Sequence, residues 1–161
     1  MYRKILVPLD GSLESEQVLP LVEELITPGG ERILLHVIPP CKTKVLGEHI
    51  WLACQQAEAE HTWAMNYLRR VGFFSQTCEI TGPWRFEAIV SSSVVKGITD
   101  FAIQEEVDLI AMYTHDRKGL AKLIRGSIAV QVQRKAPIEV RVFRPRELVS
   151  TGGGALAKDK D

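Results

Sequence analysis

The sequence predicts a three-layer α/β sandwich, with a five-stranded, mostly parallel sheet covered by helices on both faces. Three observations predict it. Short, continuous apolar runs (KILVPL at Lys4–Leu9, RILLHVI at Arg32–Ile38, LIAM at Leu109–Met112) have strand length and lack the alternation of a half-wet strand. Segments between them carry apolar residues at helical spacing. Strands that alternate with helices close as right-handed crossovers into a parallel sheet.

The elements follow in order. After Lys4–Leu9, Asp10-Gly11-Ser12 is a turn with Ser12 placed as a helix N-cap. Val18, Leu21, Val22, Leu25 and Ile26 then repeat at helical spacing, and Pro20 must kink or break that helix. Thr27-Pro28-Gly29-Gly30 stops it. Arg32–Ile38 is the second strand, closed by Pro39-Pro40, and His36 within it reads as a packed, neutral strand histidine. Cys41–Gly47 is a polar loop. A long helix is expected from about His49 to Val71, with Ala53, Ala57, Ala64, Leu68 and Val71 inward and Gly72 at its end. Phe73–Ile80 reads as the third strand. Trp84–Val90 reads as an extended insert, and a helix follows from about Ser93, weakened by Gly97. Asp108–Tyr113 is the fourth strand, Ser127–Lys135 a helix and Ile138–Phe143 the fifth strand. Alternation in that last strand (Ile138, Val140 and Val142 against Glu139, Arg141 and Phe143) suits a sheet edge.

The chain has 161 residues, 45% hydrophobic and 25% charged, with a formal net charge of zero. It reads as one domain over residues 1–146, with residues 147–161 as a disordered, glycine-rich and charged tail. Zero net charge and the lack of a recognised binding motif argue against nucleic acid as a partner. No apolar run approaches membrane-spanning length. Cys41, Cys54 and Cys78 are odd in number and form no Cys-x-x-Cys, which points to a reducing, cytoplasmic setting and away from a structural metal. Charge is uneven along the chain. Arg117, Lys118, Lys122, Arg125, Arg134, Lys135, Arg141, Arg144 and Arg146 crowd the last third. They form either a solvated basic face or a field that draws a small anion to the loop after Met112.

The stretch DLIAMYTHDRKGLAKLIRGS from Asp108 to Ser127 is the candidate site. A strand, a loop, and then Gly126-Ser127 opening a helix can place free backbone N–H groups and a positive helix end around an anion. The plainer alternative is an ordinary strand–helix connection in which Ser127 caps a helix. In a parallel sheet, ligands bind beyond the carboxyl ends of the strands where strand order reverses. Pro8–Gly11, Val37–Pro40 and Tyr113–Ser127 would meet there.

KILVPLDGS (Lys4–Ser12), LLHVIPP (Leu34–Pro40), DLIAMYTHDRKGLAKLIRGSIA and the closing APIEVRVF together make the chain resemble the universal stress protein family. The resemblance implies a Rossmann-like nucleotide-binding fold. It also implies a homodimer, commonly formed through the last strand, Ile138–Phe143, with unidentified regulatory protein partners. ATP-binding members carry Gly-x-x-Gly, nine residues, then Gly-Ser or Gly-Thr. Here the spacing is kept, but Tyr113 and Asp116 replace the first two glycines and only Gly126-Ser127 matches. By resemblance, Asp10 faces the ribose or base, and Val37 offers backbone groups to adenine. Gly126, Ser127 and Ile128 offer N–H groups to phosphates. The nucleotide-binding set so implied is Pro8, Leu9, Asp10, Val37, Met112, Tyr113, His115, Asp116, Gly126, Ser127, Ile128 and Ala129.

The two replacements bear on affinity. Tyr113 puts a ring where the family has an open glycine. Asp116 puts a carboxylate near phosphate; at ~4 Å and an effective dielectric of ~20, like charges repel by about 4 kcal/mol. Arg117, Lys118 and Arg125 offset part of this, and a Mg²⁺ held by Asp116 and bridging to phosphate is an alternative. The first expectation is therefore a dimeric stress-response regulator with a degenerate loop, weak or no ATP binding, and action through protein contacts. The second is an adenine-nucleotide sensor for ATP or AMP with Mg²⁺. An enzyme is not indicated beyond very slow ATP hydrolysis. No P-loop, metal-ligand cluster or nucleophile elbow is present, and no catalytic residue is assigned.

Overall fold

The computed structural model describes residues 1–46, 49–51, 53–75, 82–114 and 127–144. In chain order its elements are β1 (Tyr2–Pro8), α1 (Leu13–Glu16), α2 (Leu19–Leu25), β2 (Ile26–Ile38), β3 (Lys44–Leu46) and β4 (His49–Trp51). Then come α3 (Ala53–Ser75), β5 (Trp84–Val90), α4 (Val94–Gln104), β6 (Leu109–Tyr113), α5 (Ile128–Lys135) and β7 (Glu139–Phe143). The main sheet has five strands in the order β5-β2-β1-β6-β7, and every pairing in it is parallel. β3 and β4 form a separate antiparallel pair.

The central strands carry apolar stretches, Ile5–Val7, Ile33–Leu35 and Leu109–Met112, because both their faces are covered there. Ile5, Val7, Leu34, Leu109 and Ala111 point to one face, against Val18, Leu19 and Val22 of the α1–α2 segment and Leu68 and Val71 of α3. Leu6, Ile33, Leu35, Ile110 and Met112 point to the other, against Val95 and Ile98 of α4 and Ala129 and Val132 of α5. Successive strand residues thus alternate between two cores rather than between core and water. At the entry end the Asp108 carboxylate accepts from the N–H groups of Arg3 and Lys4, at 2.8 and 2.9 Å, and ties β6 to β1.

The sheet, its helical layers and the last strand at an edge match the sequence reading, and Pro20 stands at the start of α2, where the first helix is broken in two. Four element assignments are corrected. The third strand is β5, Trp84–Val90, and Phe73–Ser75 are the final turn of α3; the rest of the expected Phe73–Ile80 strand, residues 76–80, lies outside the described residues. Gly72 does not end that helix, because its missing side chain is used for packing: a Cβ there would lie 2.4 Å from Cε1 of Phe86. The helix begins at Ala53, since His49–Trp51, with its β-branched and aromatic residues, is a strand; part of the Cys41–Gly47 loop pairs with it as β3. Thr27–Gly30 is a bulge inside β2 rather than a break before it, between the pairs Tyr2↔Ile26 and Lys4↔Glu31, with Gly29 at φ 77°. The tail, residues 147–161, is outside the described residues. Among those residues no helix is long and apolar enough to cross a membrane.

Candidate functional site

Strand order reverses between β1 and β6, and the two strands part there. Their ladder covers only Ile5↔Leu109 and Leu6↔Ile110. β1 instead stays with β2 through Pro8↔Leu35, and the Leu9 N–H continues to the Leu35 carbonyl at 2.8 Å. β6 stays with β7 through Tyr113↔Phe143, and the Thr114 N–H reaches the Phe143 carbonyl at 3.0 Å. Pro8, which has no N–H, is the last residue of β1. Divergence of neighbouring strands at their carboxyl ends makes the crevice in which folds of this kind bind ligands.

One wall of the crevice is the turn after β1. Pro8 and Leu9 are buried, so their side chains serve packing. Asp10 is exposed, and its Oδ1 accepts from the Ser12 N–H at 3.0 Å and from the Ser12 hydroxyl at 2.6 Å. Gly11 takes φ 89°, in the left-handed region that side chains disfavour. Ser12 in turn caps α1 by accepting from the Ser15 N–H.

The opposite wall is the start of α5. The Ser127 hydroxyl accepts from the Val130 N–H at 3.3 Å, so the expected N-cap is present. The first N–H groups of a helix have no acceptor within it, and those of Ile128 and Ala129 stand at the positive end of α5. The Ala129 methyl is buried in the same core as Met112, which leaves backbone as what Ala129 can offer a ligand, whereas the Ile128 side chain is exposed. The Val37 side chain packs toward α4, its Cγ1 3.2 Å from where a Gly97 Cβ would be. His115, Asp116 and Gly126 fall outside the described residues.

Tyr113 differs from its sequence reading. On a strand it shares a face with Leu109 and Ala111, and it lies with them in the α1–α3 core, 9% exposed. Its ring is therefore a core side chain and not an open plug. Burial, and then the charge of Glu14, push its hydroxyl pKa up. Of the basic residues in the last third, Arg117, Lys118, Lys122, Arg125 and Arg146 lie outside the described residues. Arg134 and Lys135 occupy the last turn of α5, the end remote from Ser127, and Arg141 pairs with Glu139 at 3.1 Å.

Sequence reasoning missed an aromatic group beside the β1 turn. The His36 Nδ1–H donates to the Leu9 carbonyl at 2.8 Å. Its ring meets Trp63 edge-on, centroids 5.4 Å apart, and Trp63 stacks on Tyr67 at 5.5 Å with planes 4° apart. Trp63 and Tyr67 are one helical turn apart on α3. That spacing was readable; the strand they lie over was not.

The family model described as the universal stress protein family matches residues 1–144. The chain belongs to the universal stress protein family. Solved structures agree on the fold. The chain resembles hypothetical protein MJ0577, a test case for assigning biochemical function from structure, at 24% identity and TM-score 0.69, covering 89% of this chain and 96% of that one. It also resembles the universal stress protein UspA from Lactobacillus plantarum, at 22% identity and TM-score 0.66, covering 89% and 98%. A universal stress protein crystallised in complex with cAMP matches at 17% identity and TM-score 0.64, covering 89% and 97%. No match was found among curated proteins. In this member of the family the crevice opens between the β1 turn and the Ser127-capped start of α5.

Proposed function

We propose that this chain is a cytoplasmic, homodimeric stress-response regulator that holds adenine nucleotides weakly and acts through protein contacts. The observation that carries the proposal is the parting of β1 and β6 between an Asp10-Gly11 turn and a Ser127-capped helix start. That crevice has the form of a nucleoside site, and the cAMP-bound relative lends it support. Asp116, in the place of a family glycine, then sets the phosphate end against the most highly charged ligands. Tyr113, being buried, adds little to that discrimination. Dimerisation would use β7, an edge strand with its outer side unpaired in the sheet order.

Titration calorimetry of the purified protein with adenosine, AMP and ATP, the last with and without Mg²⁺, tests the reading. Adenosine or AMP should bind at least as tightly as ATP. A clear preference for ATP would contradict it. If Mg²⁺ alone converts weak ATP binding to tight binding, the sensor reading with a metal held by Asp116 is favoured instead.

A further inference from the structure

Trp63 is half exposed, at 50%, on a helix whose inward positions are filled by Ala64, Tyr67, Leu68 and Val71. The core therefore does not account for an indole at this place. What surrounds the indole does. One face is covered by the parallel ring of Tyr67, itself 5% exposed. His36, held by its bond to the Leu9 carbonyl, abuts the indole edge-on. The far edge reaches the β1 turn: a Cβ on Gly11 would stand 3.0 Å from Cη2 of Trp63, so Gly11 is required by the indole as well as by its positive φ. Among the described residues, no ring other than Tyr67 stacks on the indole. A half-exposed aromatic plane thus lies against Gly11, the residue after Asp10, at the carboxyl end of β1.

We infer that Trp63 is a base-stacking platform beside this crevice, so that the base of the proposed ligand is held by stacking on the indole more than the ligand is held by its phosphates. The inference rests on the proposed nucleotide reading and extends it. Stacking on an aromatic face is indifferent to ligand charge, so it retains a nucleoside where Asp116 repels a triphosphate. Tyr67 and His36 act as positioning residues that keep the plane in place.

The test is calorimetric titration of adenosine and ATP into the unaltered protein, Trp63→Phe, Trp63→Leu and Trp63→Ala, with thermal unfolding of each variant as the control for folding. Trp63→Ala and Trp63→Leu should bind both ligands about tenfold more weakly, and Trp63→Phe should stay near the parent. Adenosine should quench the tryptophan fluorescence of the parent, and that quenching should be lost in Trp63→Phe although binding remains. If the Leu and Ala variants fold and bind adenosine like the parent, Trp63 is no platform and the crevice reading stands without it. If Trp63→Leu matches Trp63→Phe, the contact is merely apolar and the stacking inference is overturned. Failure of the parent to bind either ligand overturns both readings together.

Discussion

Among the described residues Arg32 is the largest side chain sealed from solvent, at 1% exposure, and every charge-bearing nitrogen it has is used. Nε and Nη2 each donate to the Glu23 carboxylate at 2.7 Å, Nη1 donates to the Gly30 carbonyl at 2.9 Å, and the guanidinium lies 5.7 Å from the Trp84 ring centre. The pair joins α2 to β2 and fixes the bulge through Gly30. Because the desolvation of a buried charge is offset only while its partner is there, the two residues are not independent. Glu23→Gln should destabilise the protein by about 3 kcal/mol in urea denaturation, and Arg32→Met with Glu23→Leu should recover most of that loss. A loss within about 0.5 kcal/mol for the single variant, as for an exposed pair, would show that the charge is not buried in solution.

Among the elements, α3 shows where the sequence was readable and where it was not. Strands with two covered faces announce themselves as short apolar runs, which is why β1, β2 and β6 were legible. β5 is an edge strand reading WRFEAIV, and the salt bridges of Arg85 to Glu31, Glu87 and Glu105 break its apolar pattern. The neighbouring Phe73 and Phe74 looked more strand-like, yet they are 71% and 79% exposed on the last turn of α3. What keeps that turn helical is tertiary: Phe86 of β5 occupies the space that Gly72 leaves open. Intrinsic propensity alone would make Gly72→Ala stabilising by about 1 kcal/mol. Overpacking against Phe86 should reverse the sign, to a loss of about 1–3 kcal/mol, with Phe86→Leu relieving part of it in the double variant. A stabilised Gly72→Ala would mean that α3 and β5 do not pack this closely. The site divides in the same way. Asp10, Gly11 and Ser127 were legible because turns and caps are local chemistry. The His36–Trp63–Tyr67 group was not, since only the packing of α3 across the sheet brings it to the β1 turn.

For the whole molecule, the sheet has two ends of different character. β5 is crossed by charged pairs, whereas β7 carries Val140, Val142 and Phe143 beside Glu139 and Arg141. Tyr2 braces the β7 end, its hydroxyl donating to Glu139 at 2.7 Å under the Arg141 guanidinium. Sedimentation should find a species of twice the 18.0 kDa chain mass, and hydrogen exchange at 139–143 should slow as concentration rises through the association. A monomer at all concentrations, or protection on β5 instead, would remove β7 as the interface. The crevice at the other end of these strands is where regulation by ligand would begin, and Asp116 is the residue proposed to set its affinity for ATP. The most direct measurement compares calorimetric titrations of ATP and adenosine into the unaltered protein and Asp116→Gly. Removing the carboxylate should tighten ATP at least about tenfold and leave adenosine unchanged. Tight ATP binding by the unaltered protein, with a Kd of about 1 µM and no gain in Asp116→Gly, would contradict the account.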